Sequence, residues 1–313
     1  MSIVLTVLAL VAGCSPLIPQ LGAPTTVAPP PPDMSGVQGD RTLSMATRTG
    51  QRTARIHHPV TVGAGAPLVV VLHGETGSAA QAQADYGWDA VADREGFVVA
   101  YPDAEAQAWN AGPTCCFPHS AGVNDVGYLN QLVSDLTKAD KVDRARVFAV
   151  GFSTGASMIY SWECSQPGLL AGIGLVGGAL LIDCDIRPPV SVAAIHGTAD
   201  TYFPLAGGIG PHSPKGLPPS RPLEATLALF RNVDKCPDQP GTTTGPPVAQ
   251  RSWSCVAGRT VSAAVIDGAG HQWPGAAQAA AGAPGVRAAV DQPSTALNAT
   301  DWLWSHLRDS RSR

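Results

Sequence analysis

The chain has 313 residues, 44% hydrophobic and 14% charged, with 34 glycines and 28 prolines. Glycine and proline together make about a fifth of it, below the roughly 25–30% of low-complexity chains, so global disorder is excluded and a loop-rich globular protein is expected. A net charge of −4 with no block of Lys or Arg lacks the footprint that gripping a phosphate backbone requires, and nucleic acid is not an expected partner.

The N-terminal stretch from Ile3 to Ala12 is apolar apart from Thr6 and too short for the roughly 20 residues of a membrane-spanning helix. It runs into Val11-Ala12-Gly13-Cys14, where small residues before a cysteine resemble a bacterial lipobox. Residues 1–14 therefore read as a signal peptide with Cys14 as the lipidation site, and membrane contact is expected through a lipid anchor alone. An ordinary export signal and a buried strand with a free thiol stay open, since no Lys or Arg precedes Arg41. From Ser15 to Asp40, Pro16, Pro19, Pro24 and the run Pro29 to Pro32 predict an extended, semi-rigid tether. Residues 41–313 form the expected catalytic domain. Its cysteines are Cys115, Cys116, Cys164, Cys184, Cys236 and Cys255, an even set suited to disulfides outside the cytosol. Cys236 with Cys255 is the favoured pair, because the Pro/Gly/Thr-rich loop between them gains most from closure. No C-x-x-C occurs, and adjacent Cys115 and Cys116 cannot easily share one tetrahedral ion, so no metal or cofactor is expected.

Pro67 to Leu72 is a continuous apolar run ending at His73-Gly74, which reads as a central parallel strand buried on both faces. A helix is expected over Ala79–Glu95 and a strand over Phe97–Tyr101. Asn124 can cap a helix whose Val126, Leu129, Val133 and Leu136 recur at helical spacing. A strand over Arg146–Val150 leads to a helix over Thr154–Cys164. The uncharged stretch Gly168 to Ile182 is glycine-rich and too short to span a bilayer, and reads as a loop plus the buried strand Ile173–Val176. A strand over Val190–Ile195, a helix over Pro222–Val233, a strand over Thr260–Ile266 and a helix over Ser294–Leu307 complete the pattern. Strands alternating with helices imply an α/β fold with a mostly parallel central sheet and helices on both faces.

Gly151-Phe152-Ser153-Thr154-Gly155 matches G-x-S-x-G, the sharp strand-to-helix turn that lifts a nucleophilic serine above a sheet. The pattern alone is weak, but here a strand leads in and a helix leads out. A serine hydroxyl needs a base, and the base needs an acid to fix its tautomer, in the chain order Ser, acid, His. Asp200 and His271 each follow a predicted strand, beyond the carboxyl ends where parallel-sheet enzymes collect chemistry. Asp183, Asp185 and Asp267 are weaker candidates for the acid, and His73 and His196, each before a glycine, suit structural turns. Two backbone N–H groups should face the tetrahedral oxyanion, those of Thr154 and Glu75. Trp273 is either an apolar wall for substrate or a packing residue. The loops Asp103–Val123 and Thr201–Arg221, which should shape the pocket, carry no readable code for the acyl group.

Taken together, LHG at Leu72–Gly74, NDVGYL at Asn124–Leu129, GFSTG, HGTAD at His196–Asp200 and GAGHQWPG at Gly268–Gly275 resemble the esterase/polyhydroxybutyrate-depolymerase family of α/β-hydrolases. That family includes feruloyl-esterase-like enzymes, and the resemblance runs from about Val69 to Leu307. It implies an α/β-hydrolase fold and a secreted carboxylic-ester hydrolase with Ser153, Asp200 and His271 as its triad. The substrate would be a small ester, a polyester or an acylated glycan. The lipobox and tether resemble the lipoprotein branch of this family in particular. Two positions depart from the family: Thr154 stands where Asn or Ala is usual, and Glu75 where a small residue, Cys or an aromatic is. A carboxylate beside a developing oxyanion opposes catalysis unless it points to solvent. Two other functions stay open, a lipid-anchored binding protein on a hydrolase scaffold and a serine peptidase with the same triad.

Overall fold

A computed structural model describes residues 39–112, 115, 122–184, 189–214, 216–276 and 291–312. The lipobox with Cys14, the tether up to residue 38, Cys116 and Asp185 lie outside the described residues.

The apolar runs become the centre of one ten-stranded sheet. Strands β3 (Leu68–Leu72), β4 (Val98–Pro102), β5 (Val147–Phe152), β6 (Gly172–Val176) and β7 (Ser191–Gly197) are buried along their whole length. The remaining strands are β1 (Gly39–Thr47), β2 (Gly50–His58), β8 (Thr242–Thr243), β9 (Val248–Ser254) and β10 (Thr260–Ile266). The sheet order is β1-β2-β4-β3-β5-β6-β7-β10-β9-β8. The six strands from β4 to β10 in that order run parallel, and β2 and β9 pair antiparallel at the two flanks. Alternate residues of β3 serve opposite faces, as the pleat requires. Leu68, Val70 and Leu72 join a core with Leu129, Leu132, Met158 and Phe230, whereas Val69 and Val71 pack with Ala82, Trp88, Leu303 and Leu307. The first face is covered by α3 (Asp125–Ala139), α4 (Thr154–Ser165) and α5 (Leu223–Val233). The second is covered by α1 (Ala79–Tyr86), α2 (Trp88–Glu95) and α6 (Ala299–Leu307). No described helix is long and apolar enough to cross a membrane.

Several boundaries differ from the sequence reading. The single helix expected over Ala79–Glu95 is two, because Gly87 takes a left-handed conformation (φ 76, ψ 17) that ends α1 and redirects the chain into α2. The last helix starts at Ala299 rather than Ser294, where the Asn298 side chain accepts the Asp301 N–H at 3.0 Å. Gly39 and Asp40, read as the end of the tether, belong to β1. The hairpin β1–β2 was not expected at all. Inward positions of β2 alternate as Arg52, Ala54, Ile56 and His58, and two of those four are basic. Each has an ion partner inside: Arg52 meets Asp125 at 2.6 Å and lies 3.7 Å over the Tyr128 ring, and His58 meets Asp140 at 2.9 Å. Burying such groups is tolerable only when they are paired. The pairing hides the apolar alternation that marks a strand. Disulfides join Cys164 to Cys184 and the expected pair, Cys236 to Cys255.

Candidate active site

The end of β5 makes the turn that the glycine-flanked serine suggests. Ser153 sits at φ 56, ψ −124, a strained conformation for a residue with a Cβ, before α4 begins at Thr154. Such a turn forces α4 against the end of β3. A Cβ on Gly155 would lie 2.4 Å from the His73 carbonyl oxygen and 2.6 Å from that of Leu72, so only glycine fits there.

Three side chains from the ends of β5, β7 and β10 meet above this turn. Nε2 of His271 is 2.8 Å from Ser153 Oγ, and Nδ1 of His271 is 2.9 Å from Asp200 Oδ2. All three residues are buried. The second carboxylate oxygen of Asp200 accepts the backbone N–H groups of Tyr202 and Phe203, each at 2.9 Å, which fixes the carboxylate plane. Burial alone would raise the Asp200 pKa, but the hydrogen bond and charge of His271 outweigh it and hold the carboxyl below its ordinary value. The His271 ring lies between Tyr202, stacked at 4.7 Å and 26°, and Phe152, tilted at 4.7 Å. A ring held on two faces and at both nitrogens has little freedom to leave the serine.

The turn after β3 runs along the same rim. A Cβ on Gly74 would lie 3.3 Å from the Ser153 Cβ, so the neighbouring Glu75 flanks Ser153. Among the described residues no intrachain acceptor takes the backbone N–H of Glu75 or of Thr154. Partial burial pushes the Glu75 carboxyl above its ordinary value. His73 shapes this turn: its Nδ1 donates to the Gly74 carbonyl at 2.7 Å, its Nε2 accepts the Ala104 N–H at 3.1 Å, and burial keeps the imidazole neutral. His196 is structural in the same sense, donating Nε2–H to the Phe203 carbonyl at 2.6 Å. Asp183 is fully exposed and Asp267 accepts from Thr198, so neither competes with Asp200 for His271.

Of the two readings of Trp273, the contacts in the structure are those of packing. It is buried among the core side chains of the second sheet face, its indole lies on Tyr86, and its N–H donates to Thr300 Oγ1 at 3.2 Å. Tyr202, which holds the His271 ring, and Asp291, whose Oδ2 accepts the His271 N–H at 2.6 Å, went unread in the sequence. Tyr202 could have been found as the aromatic residue two places after the acid, whereas Asp291 has no local signal. One group among the described residues has ligand-like spacing, Asp40, His57 and Asp89, on the β1–β2 flank. There His57 faces Asp40 through Nδ1 at 2.7 Å and Asp93 through Nε2 at 3.0 Å. Burial disfavours the charged ring, but Asp40, Asp89 and Asp93 outweigh it and raise the His57 pKa.

The family profile described as Esterase PHB depolymerase matches residues 55–194. The "putative esterase" NocK of Nocardia uniformis subsp. tsuyamanensis is 32% identical over 260 residues, which cover 76% of this chain and 74% of NocK. The bifunctional acetylxylan esterase/xylanase XynS20E of Neocallimastix patriciarum is 24% identical over 230 residues, 70% of this chain but only 31% of that protein. Among solved structures, the acetyl xylan esterase of Aspergillus awamori superposes with a TM-score of 0.52 at 14% identity, covering 74% of this chain and 94% of that one. At that identity the likeness speaks for the fold alone.

Proposed function

Since the chain belongs to the esterase/PHB-depolymerase family, we propose that it is a serine carboxylic-ester hydrolase that works through an acyl-enzyme. The observation that carries this reading is the unbroken contact chain from Ser153 Oγ through His271 to Asp200, at 2.8 and 2.9 Å. In the forward half, Ser153 Oγ attacks the ester carbonyl carbon while His271 Nε2 takes its proton, and Asp200 stabilises the imidazolium that results. The tetrahedral oxyanion is met by the N–H groups of Thr154 and Glu75. Collapse breaks the bond to the alcohol, which leaves with the proton from His271 and leaves the acyl group on Ser153. In the second half water takes the place of the serine hydroxyl: His271 removes its proton, the oxygen attacks the acyl carbon, and Ser153 departs reprotonated.

Relatives named for acetylxylan, feruloyl and poly(3-hydroxyalkanoate) substrates support a small ester, a polyester or an acylated glycan as substrate. Disulfides at Cys164–Cys184 and Cys236–Cys255 fit an exported enzyme, anchored outside the membrane by lipid on Cys14. Glu75 and Thr154 act through their backbone, so the Glu75 carboxylate must face away from the oxyanion. The test is fluorophosphonate labelling and p-nitrophenyl acetate turnover by the purified protein and by Ser153→Ala. The variant should lose both, and full turnover in it would reject the mechanism. An amide substrate cleaved faster than its matching ester would favour a peptidase, and polymer binding without ester turnover would favour a binding protein.

A further inference from the structure

The loop that carries His271 leaves β10 through Gly268, Ala269 and Gly270, a stretch with two glycines and no regular hydrogen-bond ladder. The start of the loop is held by Gly268 N–H to Thr198 Oγ1 at 2.8 Å and by Ala199 N–H to the Ala269 carbonyl at 2.9 Å, but neither bond reaches the His271 main chain. The His271 main chain itself is held by one residue, 20 positions further on. Asp291 Oδ2 accepts the His271 N–H at 2.6 Å, and the Asp291 N–H donates to the His271 carbonyl at 2.8 Å. Both backbone polar groups of the histidine are thus held by one partner, the first through a charge-assisted bond of the stronger class. Neighbouring bonds extend the seam: Gln272 Oε1 accepts the Ser294 N–H at 3.1 Å, and the Gly275 N–H donates to the Ser294 carbonyl at 2.9 Å. A Cβ on Gly270 would lie 2.0 Å from Asp291 Oδ2, so the carboxylate reaches the histidine only across a glycine.

We infer that Asp291 is a positioning residue for ester hydrolysis, clamping the His271 main chain so that Nε2 stays within reach of Ser153. The inference rests on His271 being the base. Asp291 itself is exposed, so replacing it removes the clamp without opening the core. A misplacement of the base by about 1 Å is enough to slow the chemical step by about 10²-fold.

The experiment compares kcat, KM and melting temperature of wild type, Asp291→Ala and Asp291→Asn on p-nitrophenyl acetate, with Ser153→Ala in the same assay. Asp291→Ala should lower kcat by about 10²-fold with KM within about twofold and little change in melting temperature. Asp291→Asn keeps an acceptor oxygen and should recover to within about fivefold of wild type. An Asp291→Ala kcat within about threefold of wild type would overturn the clamp, as would an Asn variant as slow as the Ala variant. Wild-type turnover that survives Ser153→Ala would instead remove the triad reading and the clamp with it, a result visible before any Asp291 variant is measured.

Discussion

The indole of Trp273 lies flat on the phenol ring of Tyr86, with centroids 4.2 Å apart and planes 6° from parallel. Tyr86 in turn meets Phe152 edge-on at 6.4 Å, and Phe152 packs against the His271 ring. This stack ties the histidine loop to α1 and to the residue before the nucleophile. It predicts that Trp273→Ala costs about 3–5 kcal/mol of stability, as large-to-small changes at buried aromatics do. KM should stay within about threefold of wild type. Urea unfolding and steady-state kinetics check this together: a tenfold rise in KM at unchanged stability would put Trp273 in the path of the substrate.

Asp200 accepts Nδ1–H of His271, and an amide in its place can present N–H to the same nitrogen and select the wrong tautomer. Asp200→Asn should therefore lower kcat by about 10³–10⁴-fold with the fold intact. Measured kcat and a circular dichroism spectrum decide it, and a loss below tenfold would mean that the carboxylate does little for the base.

Glu163, on α4, is a carboxyl in the core. Burial pushes it up to about 8, and the Asp234 carboxylate adds to a rise that the Gly168 N–H only partly offsets. In the unfolded chain its value is near 4.5, so between those limits the folded state binds the extra proton. Stability should then fall as pH rises through that window, by up to about 1.4 kcal/mol per pH unit from this group. Glu163→Gln should flatten that fall. Urea midpoints of both proteins at pH 5, 6.5 and 8 give the comparison, and parallel curves would contradict it.

The Cys236–Cys255 bridge closes a loop of 19 residues' separation. Replacing both with serine should lose about 3 kcal/mol, chiefly by freeing the unfolded chain, while kcat at 25 °C stays near the wild-type value. Thermal melts of the native protein and of the double variant should show this drop, and an unchanged melting temperature would count against a stabilising bridge.

What the sequence makes legible follows from how locally each feature is written. Pro67–Leu72 reads as a buried strand because both faces of β3 meet apolar layers, so no polar position interrupts it. That Ser153, Asp200 and His271 meet is legible because each follows such a strand and carries its own short motif. The β1–β2 hairpin is not, since Arg52 and His58 occupy core-facing positions and only their distant partners Asp125 and Asp140 make that tolerable. Gly87 divides a helix that its flanking periodicity presents as one. Asp291 is a plain acidic residue whose meaning lies wholly in its contact with His271.

The two contacts that join the triad span 118 and 71 residues, from β5 to β10 and from β7 to β10. If His271 is the base, a nascent chain that has not yet delivered its final parallel strand holds Ser153 without one and should be inert toward whatever esters surround it. On the proposed mechanism, turnover would then report complete maturation, and truncation anywhere ahead of residue 271 should silence it.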